Sequence, residues 1–381
     1  MNFPVRIRSL LMVALCLLIL LEPTGLLSMI ASGQSAEEEI SNPDTLIHAA
    51  TTAPTSLDPA ARPWGINGEI IFNVYETLIF WDGEDPNSLI PQLSTVVPSV
   101  DNGLIWEYPD GSVSYQFPVR QGVMFHNGEL LTAEDVEYSF ERAMIQDEAG
   151  RIILEPLLGV RSIDELAEQY GDFEACEMVK RAVWVEGDTV IFRLVAPFAP
   201  FLQILAHPLA SIVDKEWAMS MGGWLGASDD WREWQYSDSL YSVMNGTGAF
   251  KLEEWIPGDR ITLQRFENYW NGPAVLERFI VSFVADSATR VAMLQAGDAD
   301  IISIPTGLED QYASTLIPLM EEGTVFSPRG LPLPKQDAAF FNQAVDQTSP
   351  YIGSGRLDGQ GIPPDFFSDI ELRTAFNYAF D

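Results

Sequence analysis

The segment from Asp110 to Met144, DGSVSYQFPVRQGVMFHNGELLTAEDVEYSFERAM, decides the fold of this chain. Its first part alternates apolar and polar side chains, a period of two that predicts a half-buried strand, and Pro118 places that strand at a sheet edge or bulge. The Asn-Gly pair at 127–128 predicts a tight turn because both residues tolerate left-handed backbone conformations. Thr132 and Asp135 have the spacing of a capping box at the start of an amphipathic helix. The sequence therefore predicts a strand, a turn and a helix in direct succession.

These elements also carry a family resemblance. Three blocks resemble the signature of family 5 extracellular solute-binding proteins, the oligopeptide- and dipeptide-binding subunits of bacterial ABC importers and their relatives. The blocks are Tyr115-x-Phe117-x-Val119-Arg120, Gly122-Val123-x-Phe125-His126-Asn127-Gly128 and Leu131-Thr132-Ala133-Glu134-Asp135-Val136-x-Tyr138-Ser139-Phe140. Further similarity lies at Leu57-Asp58-Pro59, Asn73-x-Tyr75-Glu76-x-Leu78, Gly246-Thr247-Gly248-Ala249-Phe250 and Asp369–Asp381. The resemblance covers residues 45–381.

The resemblance implies a two-lobed α/β fold of the type II periplasmic-binding architecture, with an inserted subdomain and with the last part of the second lobe missing. Lobe I is expected to be discontinuous, residues 45–80 plus 183–299, with the inserted subdomain at 81–182. Lobe II is expected to start at 300 and to be truncated at 381. The segment from 219 to 241 is rich in tryptophan and acidic residues, and it is predicted to be a surface loop or lid.

The N-terminal residues 1–33 have the pattern of a secretory signal peptide. Two arginines precede a continuous apolar run of about 12 residues, too short to span a bilayer comfortably, and Ala31-Ser32-Gly33 offers small residues for cleavage. An uncleaved membrane anchor, or a lipoprotein attached through Cys16, are the alternatives. Residues 34–44 are predicted to be a tether. The exported part is expected to be periplasmic or otherwise extracytoplasmic, and its single cysteine, Cys176, excludes an internal disulfide.

Composition and charge limit the classes of partner. The chain has 381 residues, enough for two domains or more, and 47% of them are hydrophobic, enough for sizeable cores. Its formal net charge of −34 disfavours nucleic acid and anionic lipid as partners. Either a generally acidic, soluble surface or a cationic ligand is consistent with that charge, and charge spread this widely does not locate a site.

The motifs of common enzymes and metal sites are absent from the sequence. The three histidines, at 48, 126 and 207, are far apart and none has metal-ligand spacing with Cys or His, so they are predicted to be structural or surface residues. There is no phosphate-binding GxxxxGK[ST] loop, no GxSxG elbow and no HExxH helix. The sequence therefore predicts a protein that is not an enzyme, with no cofactor and no bound metal.

The predicted ligand contacts follow from the resemblance. In peptide-binding relatives the residues after the Leu57-Asp58-Pro59 turn line the cleft and pair main chain to main chain with an extended peptide. Trp64 is expected to stack on a ligand there, with packing on the core as its alternative. The glycine at 248 would allow close backbone approach at a crossing between the lobes, with a hinge or turn as the alternative. The full predicted set is Pro63, Trp64, Gly65, Asn67, Thr247, Gly248, Phe250, Ser303 and Pro305.

The function implied by the resemblance is capture of an oligopeptide or dipeptide by hinge closure, for import through membrane permease subunits driven by ATPase subunits. A monomer is expected, and the acidic anchor for a peptide amino terminus is expected in the missing C-terminal part. Within the same fold, an oligosaccharide or a metal chelate is the alternative ligand. A secreted hydrolase is the alternative of another class, and it would require a Ser/His/carboxylate cluster in the cleft. A signalling or chaperone role is a further alternative that the sequence leaves open.

Overall fold

The computed structural model describes residues 42–83, 85–304, 309–326 and 341–379; the predicted signal peptide and most of the predicted tether lie outside these ranges. The strands are β1 Thr45–Ala50, β2 Ile79–Asp82, β3 Asp85–Pro91, β4 Ile105–Glu107, β5 Val113–Pro118, β6 Val183–Glu186, β7 Thr189–Leu194, β8 Phe250–Ile256, β9 Arg260–Arg265, β10 Arg278–Phe283 and β11 Ile301–Ile302. The helices are α1 Ile66–Val74, α2 Ala133–Ile145, α3 Asp147–Leu158, α4 Ile163–Tyr170, α5 Asp172–Ala182, α6 Phe201–Leu205, α7 Lys215–Ser220, α8 Trp231–Trp234, α9 Ser287–Ala296, α10 Glu309–Glu321 and α11 Ile370–Ala379.

The larger sheet mixes parallel and antiparallel pairing. Its strand order is β11-β1-β10-β9-β8. β1 runs parallel to both neighbours, pairing Thr45 with Arg278 on one side and His48 with Ile301 on the other. β10, β9 and β8 continue the sheet as antiparallel neighbours. The parallel pairs require long crossover connections, so this sheet assembles segments that are far apart in the chain.

A second, antiparallel sheet has the order β4-β5-β7-β6 and contains the strand predicted from the opening segment. The prediction that Pro118 places this strand at a sheet edge or bulge is wrong, because β5 lies between β4 and β7 and pairs with β7 in continuous register. The proline is tolerated since it is the last residue of β5, while β4 pairs only with Val113–Tyr115. Residues 183–194, predicted to belong to lobe I, pair here with β5 instead. Likewise β11, expected at the start of lobe II, pairs with β1.

The predicted capping box at the start of α2 is confirmed. The Thr132 amide donates to Asp135 Oδ2 at 2.8 Å, and the Asp135 amide donates to Thr132 Oγ1 at 3.2 Å. These two bonds satisfy backbone donors that a helix start leaves without intrahelical partners. The apolar face of α2 then packs on the second sheet, where the Phe140 and Phe192 rings meet edge to face at 4.7 Å.

The prediction that residues 219–241 form a surface loop or lid is wrong for two of the segment's tryptophans, Trp224 and Trp231. Trp224 and Trp231 are only 2% and 0% exposed. Trp224 stacks on Tyr138 with 6.0 Å between ring centroids, and its indole nitrogen donates to Ala227 O. Trp231 donates to Asp172 O at 2.9 Å. These two buried indoles, with their N–H groups paired, anchor the segment to the core, while Leu225 and Tyr236 remain exposed.

A buried ion pair joins α2 to the loop after β1. The Arg142 guanidinium donates to the Asp58 carboxylate, and the two side chains are 3% and 1% exposed. A desolvated pair of this kind is costly to break on one side only, because the remaining charge is left buried without its partner. It therefore fixes the Leu57-Asp58-Pro59 turn against the helix. Within the described ranges, no helix combines the length and apolarity needed to cross a membrane.

Glu141, on the same helix, is a buried acid with a perturbed pKa. Burial, together with the charge of Glu137, raises its pKa to about 8, while Lys180 and Lys215 oppose the shift. The carboxyl is therefore protonated in the folded protein at neutral pH. In the unfolded chain it has its ordinary pKa near 4.5. Its contribution to stability is consequently complete below about pH 4.5 and is lost as the pH rises toward 8.

We therefore expect Glu141→Gln to flatten the dependence of stability on pH. Glutamine imitates the protonated acid at every pH, whereas the native glutamate costs up to about 1.4 kcal/mol per pH unit between its two pKa values. Urea unfolding at pH 5 and pH 8 measures the difference, and the variant should gain on the wild type at pH 8. Glu134→Gln, at an exposed position of α2, is the matched control and should keep the wild-type slope. An unchanged slope in Glu141→Gln would contradict the assignment.

Candidate functional site

The parallel strands place three chain segments at one edge of the larger sheet. β1, β10 and β11 end at Ala50, Phe283 and Ile302, and we call the segments that follow them, 51–65, 284–286 and 303–304, the carboxyl edge. Cross-strand bonds hold these ends together: the Val284 amide donates to Ala50 O at 2.9 Å. Ligands of open α/β sheets bind outside the carboxyl ends of parallel strands. The carboxyl edge is therefore the candidate binding site.

A hydrogen-bonded trio of side chains, the His48 cluster, lies at this edge. His48 Nδ1 is 2.6 Å from Glu69 Oε1, and His48 Nε2 is 2.8 Å from Ser303 Oγ. Glu69 is in the first turn of α1, and the imidazole between it and Ser303 is buried. The sequence predicted His48 to be structural or on the surface. It gave no sign of the cluster, because Ser303 is separated from His48 by 255 positions.

A buried arginine fastens the ends of β10 and β11. Arg290, on α9, is 1% exposed and donates from Nε to Ser303 O at 3.0 Å. Its Nη1 donates to Val284 O at 2.7 Å and to Ala285 O at 2.9 Å, and its Nη2 donates to the Tyr312 hydroxyl at 2.9 Å. A planar guanidinium with all these bonds is rigidly placed. Arg290 therefore fixes the position of the Ser303 backbone.

The loop after β1 presents two of its predicted contacts to solvent. Trp64 is 45% exposed, and its ring lies 4.5 Å from that of His207. Gly65 is exposed, has φ of 59°, and has open space beside its Cα. Pro63 is buried. Burial lowers the pKa of His207 to about 4, so its imidazole is neutral at neutral pH. Trp64 and Gly65 are thus the members of this group that are open to a ligand.

Asn67, predicted to contact ligand, instead holds the loop together. It is 5% exposed. Its side-chain oxygen accepts from the Thr55 amide at 3.1 Å, and its nitrogen donates to Arg62 O at 2.8 Å. An amide with both ends engaged in this way closes the loop 55–62 onto α1. Its place in the structure is that of a loop brace.

The residues predicted to contact ligand at a crossing between the lobes also make internal contacts. Thr247 is fully buried and donates to Glu76 Oε2 at 2.7 Å. Gly248 makes the close approach expected of a glycine, because a Cβ there would lie 2.8 Å from Val74 O. Phe250 is 8% exposed at the start of β8. Ser303 is therefore the predicted residue beyond the β1 loop that reaches the carboxyl edge, while the predicted Pro305 lies outside the described residues.

Glu76 is the centre of the internal network around Thr247. It is 2% exposed, and besides the Thr247 hydroxyl it accepts from Tyr269 Oη at 2.8 Å, Trp270 Nε1 at 2.8 Å and Gln92 Nε2 at 3.2 Å. Burial raises the pKa of Glu76, and the four donors oppose that rise. The sequence identified this residue as part of a family motif but gave it no role. The structure makes it the junction of four chain segments.

His126 supports the same crossing. The Gly246 amide donates to His126 Nδ1 at 3.3 Å, so the proton is on Nε2, which donates to Gly248 O at 2.9 Å. Burial lowers the pKa of this histidine to about 4, and the ring is therefore neutral at neutral pH. His126 therefore has a structural role, bonding the backbone through both ring nitrogens.

Among the described residues, Asp135, Asp214 and Glu216 bring carboxylate oxygens within 4.8 Å of one another. Two of them are occupied by capping bonds. Asp135 Oδ1 accepts from the Lys215 amide and Asp214 Oδ1 from the Trp217 amide, each at 2.9 Å. The group is explained by the start of α7, and it gives no separate reason to expect a metal.

Comparison with known proteins identifies the family. Residues 95–381 match the description "Bacterial extracellular solute-binding proteins, family 5 Middle", which is more than half of the chain. The chain belongs to this family. Its fold class is accordingly the α/β type II periplasmic-binding fold, as predicted. The family consists of extracellular solute-binding proteins.

Several curated relatives cover much of the chain. Heme-binding protein A of Haemophilus influenzae is 28% identical over 361 residues, 88% of this chain and 60% of that protein. Di/tripeptide-binding protein 2 of Pseudomonas aeruginosa is 26% identical over 69% of this chain and 45% of that protein. The solved structure of the periplasmic binding protein DppA from Helicobacter pylori, in complex with the peptide STSA, is 26% identical with a TM-score of 0.51. It covers 71% of this chain and 48% of that one. The chain thus spans about half the length of these relatives.

The Thr247–Glu76 bond yields a test of structural against ligand-binding roles. We expect Thr247→Val to lower the free energy of unfolding by about 1–3 kcal/mol, because a buried carboxylate loses one donor without any change in side-chain shape. Thr247→Ser keeps the hydroxyl and should retain most of the stability. Urea unfolding at pH 7 measures both variants. If Thr247→Val unfolds like the wild type and only ligand affinity falls, Thr247 contacts ligand instead.

Proposed function

We propose that the chain is the extracytoplasmic substrate-binding component of an ABC importer and that it captures dipeptides or oligopeptides. The observation that carries the proposal is the family match over residues 95–381. The names of the Pseudomonas relative and of the peptide-complexed Helicobacter structure support a peptide ligand. Membrane permease subunits and their ATPases would be the partners, and a monomer would deliver the ligand.

The carboxyl edge suits an extended peptide. At the end of the loop 51–65, Gly65 allows the backbone of a ligand to approach closely, since a Cβ added there would meet nothing within 4 Å. The exposed Trp64 ring supplies an apolar face for a ligand side chain. Ligand held at this edge and by a second lobe would favour the closed state, since only that state makes both sets of contacts.

A metal chelate is the second candidate, and one observation favours it. The Haemophilus relative that aligns with 88% of the chain is named a heme-binding protein. Trp64 places a flat apolar ring beside the His207 imidazole, which is neutral at neutral pH and so able to ligate a metal ion. Ligation through His207 Nε2 would cost the hydrogen bond that Nδ1 accepts from the Leu209 amide at 3.3 Å, because that bond places the proton of the neutral ring on Nε2. No comparable observation favours an oligosaccharide.

A thermal-shift screen separates these ligands. Dipeptides, hemin and maltooligosaccharides are added in turn to the purified chain, and binding to the native state raises the melting temperature by mass action. We expect dipeptides to raise it and Trp64→Ala to weaken their binding by about tenfold, equal to about 1.4 kcal/mol of lost ring contact. Trp106→Ala, which removes another exposed indole from β4, is the control and should bind normally. A shift with hemin alone, lost in His207→Ala, would replace the peptide proposal with the chelate one.

A further inference from the structure

We propose that the His48 cluster is an acyl-transfer site in which Ser303 is an activated nucleophile. Ser303 Oγ lies 2.8 Å from His48 Nε2, and His48 Nδ1 lies 2.6 Å from Glu69 Oε1. A nucleophile hydrogen-bonded to a base, with the base oriented by a third group, is the arrangement that activates serine in acyl transfer. Such sites are recognised by geometry and not by the order of the residues along the chain.

The acidic partner sets the tautomer of the base. Because a carboxylate only accepts, the proton of the neutral imidazole lies on Nδ1, pointing to Glu69. The lone pair of Nε2 is then directed at the Ser303 hydroxyl, as general-base catalysis requires. The imidazole is 6% exposed, so water competes little for either bond. Glu69 is therefore a positioning residue, and His48 is the base.

The backbone N–H and C=O of Ser303 are both hydrogen-bonded. Its amide donates to Ala49 O at 3.1 Å, and its carbonyl accepts from the buried Arg290 at 3.0 Å. Its side chain is only partly buried, so a substrate at the carboxyl edge can reach the hydroxyl. α1, which carries Glu69, starts at Gly65 without a side-chain cap, so its first amides have no capping side chain.

The reaction uses an ester or a comparable acyl donor, with water as the second reactant. Ser303 Oγ attacks the acyl carbon, its proton passes to His48 Nε2, and the bond from the acyl carbon to the leaving group breaks. The leaving group takes that proton from His48, which leaves an acyl ester on Ser303. Water, deprotonated by His48, then attacks the same carbon. The bond from that carbon to Ser303 Oγ breaks, and Oγ takes the proton from His48, which releases the carboxylic acid and restores the free serine. No oxidation or reduction occurs in either half.

The first test needs no variant. The purified chain is treated with a fluorophosphonate probe, from which a reactive serine displaces fluoride, and the modified peptide is mapped by mass spectrometry. We expect a single adduct at Ser303 and, in parallel, a burst of 4-nitrophenol from 4-nitrophenyl acetate equal to the amount of protein. An unmodified chain, or an adduct on a different residue, overturns the proposal.

Variants then assign the roles. Ser303→Ala should abolish both signals, and His48→Gln should slow labelling by about 100-fold, the usual contribution of a general base. Glu69→Gln should slow it and alter its pH profile, while Glu69→Asp should restore part of the rate. Ser287→Ala, at the first residue of α9, is the control and should react as the wild type does. Labelling of His48→Gln at the wild-type rate, in a variant with unchanged melting temperature, would reduce the cluster to a structural bond. The outcome is independent of peptide binding, which the thermal-shift screen measures separately.

Discussion

The parallel pairing of β1 with two strands from distant parts of the chain is the constraint on which the candidate site depends. β1 lies between β10 and β11, so residues 45–50 are flanked by 278–283 and 301–302. Parallel pairing puts the carboxyl ends of all three at one edge, and every predicted contact open to ligand follows one of them. Without this register, Glu69 on α1 and Ser303 after β11 would not meet at the His48 imidazole. The parallel strand pairing therefore creates the site, and the loops that follow the strands provide its functional side chains.

A second constraint explains why the glycine-rich segment 246–248 is buried inside the protein. The backbone at 246–248 lies against the end of α1, where a Cβ on Gly246 would be 2.0 Å from Val74 O. Thr247, held in that contact, completes the donor set of the buried Glu76 carboxylate. Burying an acid without such donors would be expensive, so the glycines and the donors are required together. Residues 246–248 therefore connect chain segments inside the protein. Contact with ligand is left to the other predicted residues.

Local signals in the sequence were sufficient for local structure. The capping box at Thr132 and the alternation in β5 depend on neighbours a few positions away, and both appear in the structure. The sequence does not show which residues surround a side chain in the folded protein. Nothing near Trp224 or Trp231 in the sequence says that their rings are covered by Tyr138 and by the backbone at Asp172. Likewise, His48 and Ser303 meet only because β1 and β11 are adjacent. The internal bonds of Asn67 depend on the shape of the loop 55–62, which the sequence does not specify.

The central claim is that ligand binds at the carboxyl edge. Hydrogen exchange followed by mass spectrometry, with and without a saturating dipeptide, tests it most directly, because amides that a ligand covers or orders exchange more slowly. The account predicts slower exchange in 51–65, 284–286 and 303–304. Protection confined to another surface, such as the groove lined by Asp110, Tyr170 and Arg193, or no protected segment at all, would contradict it.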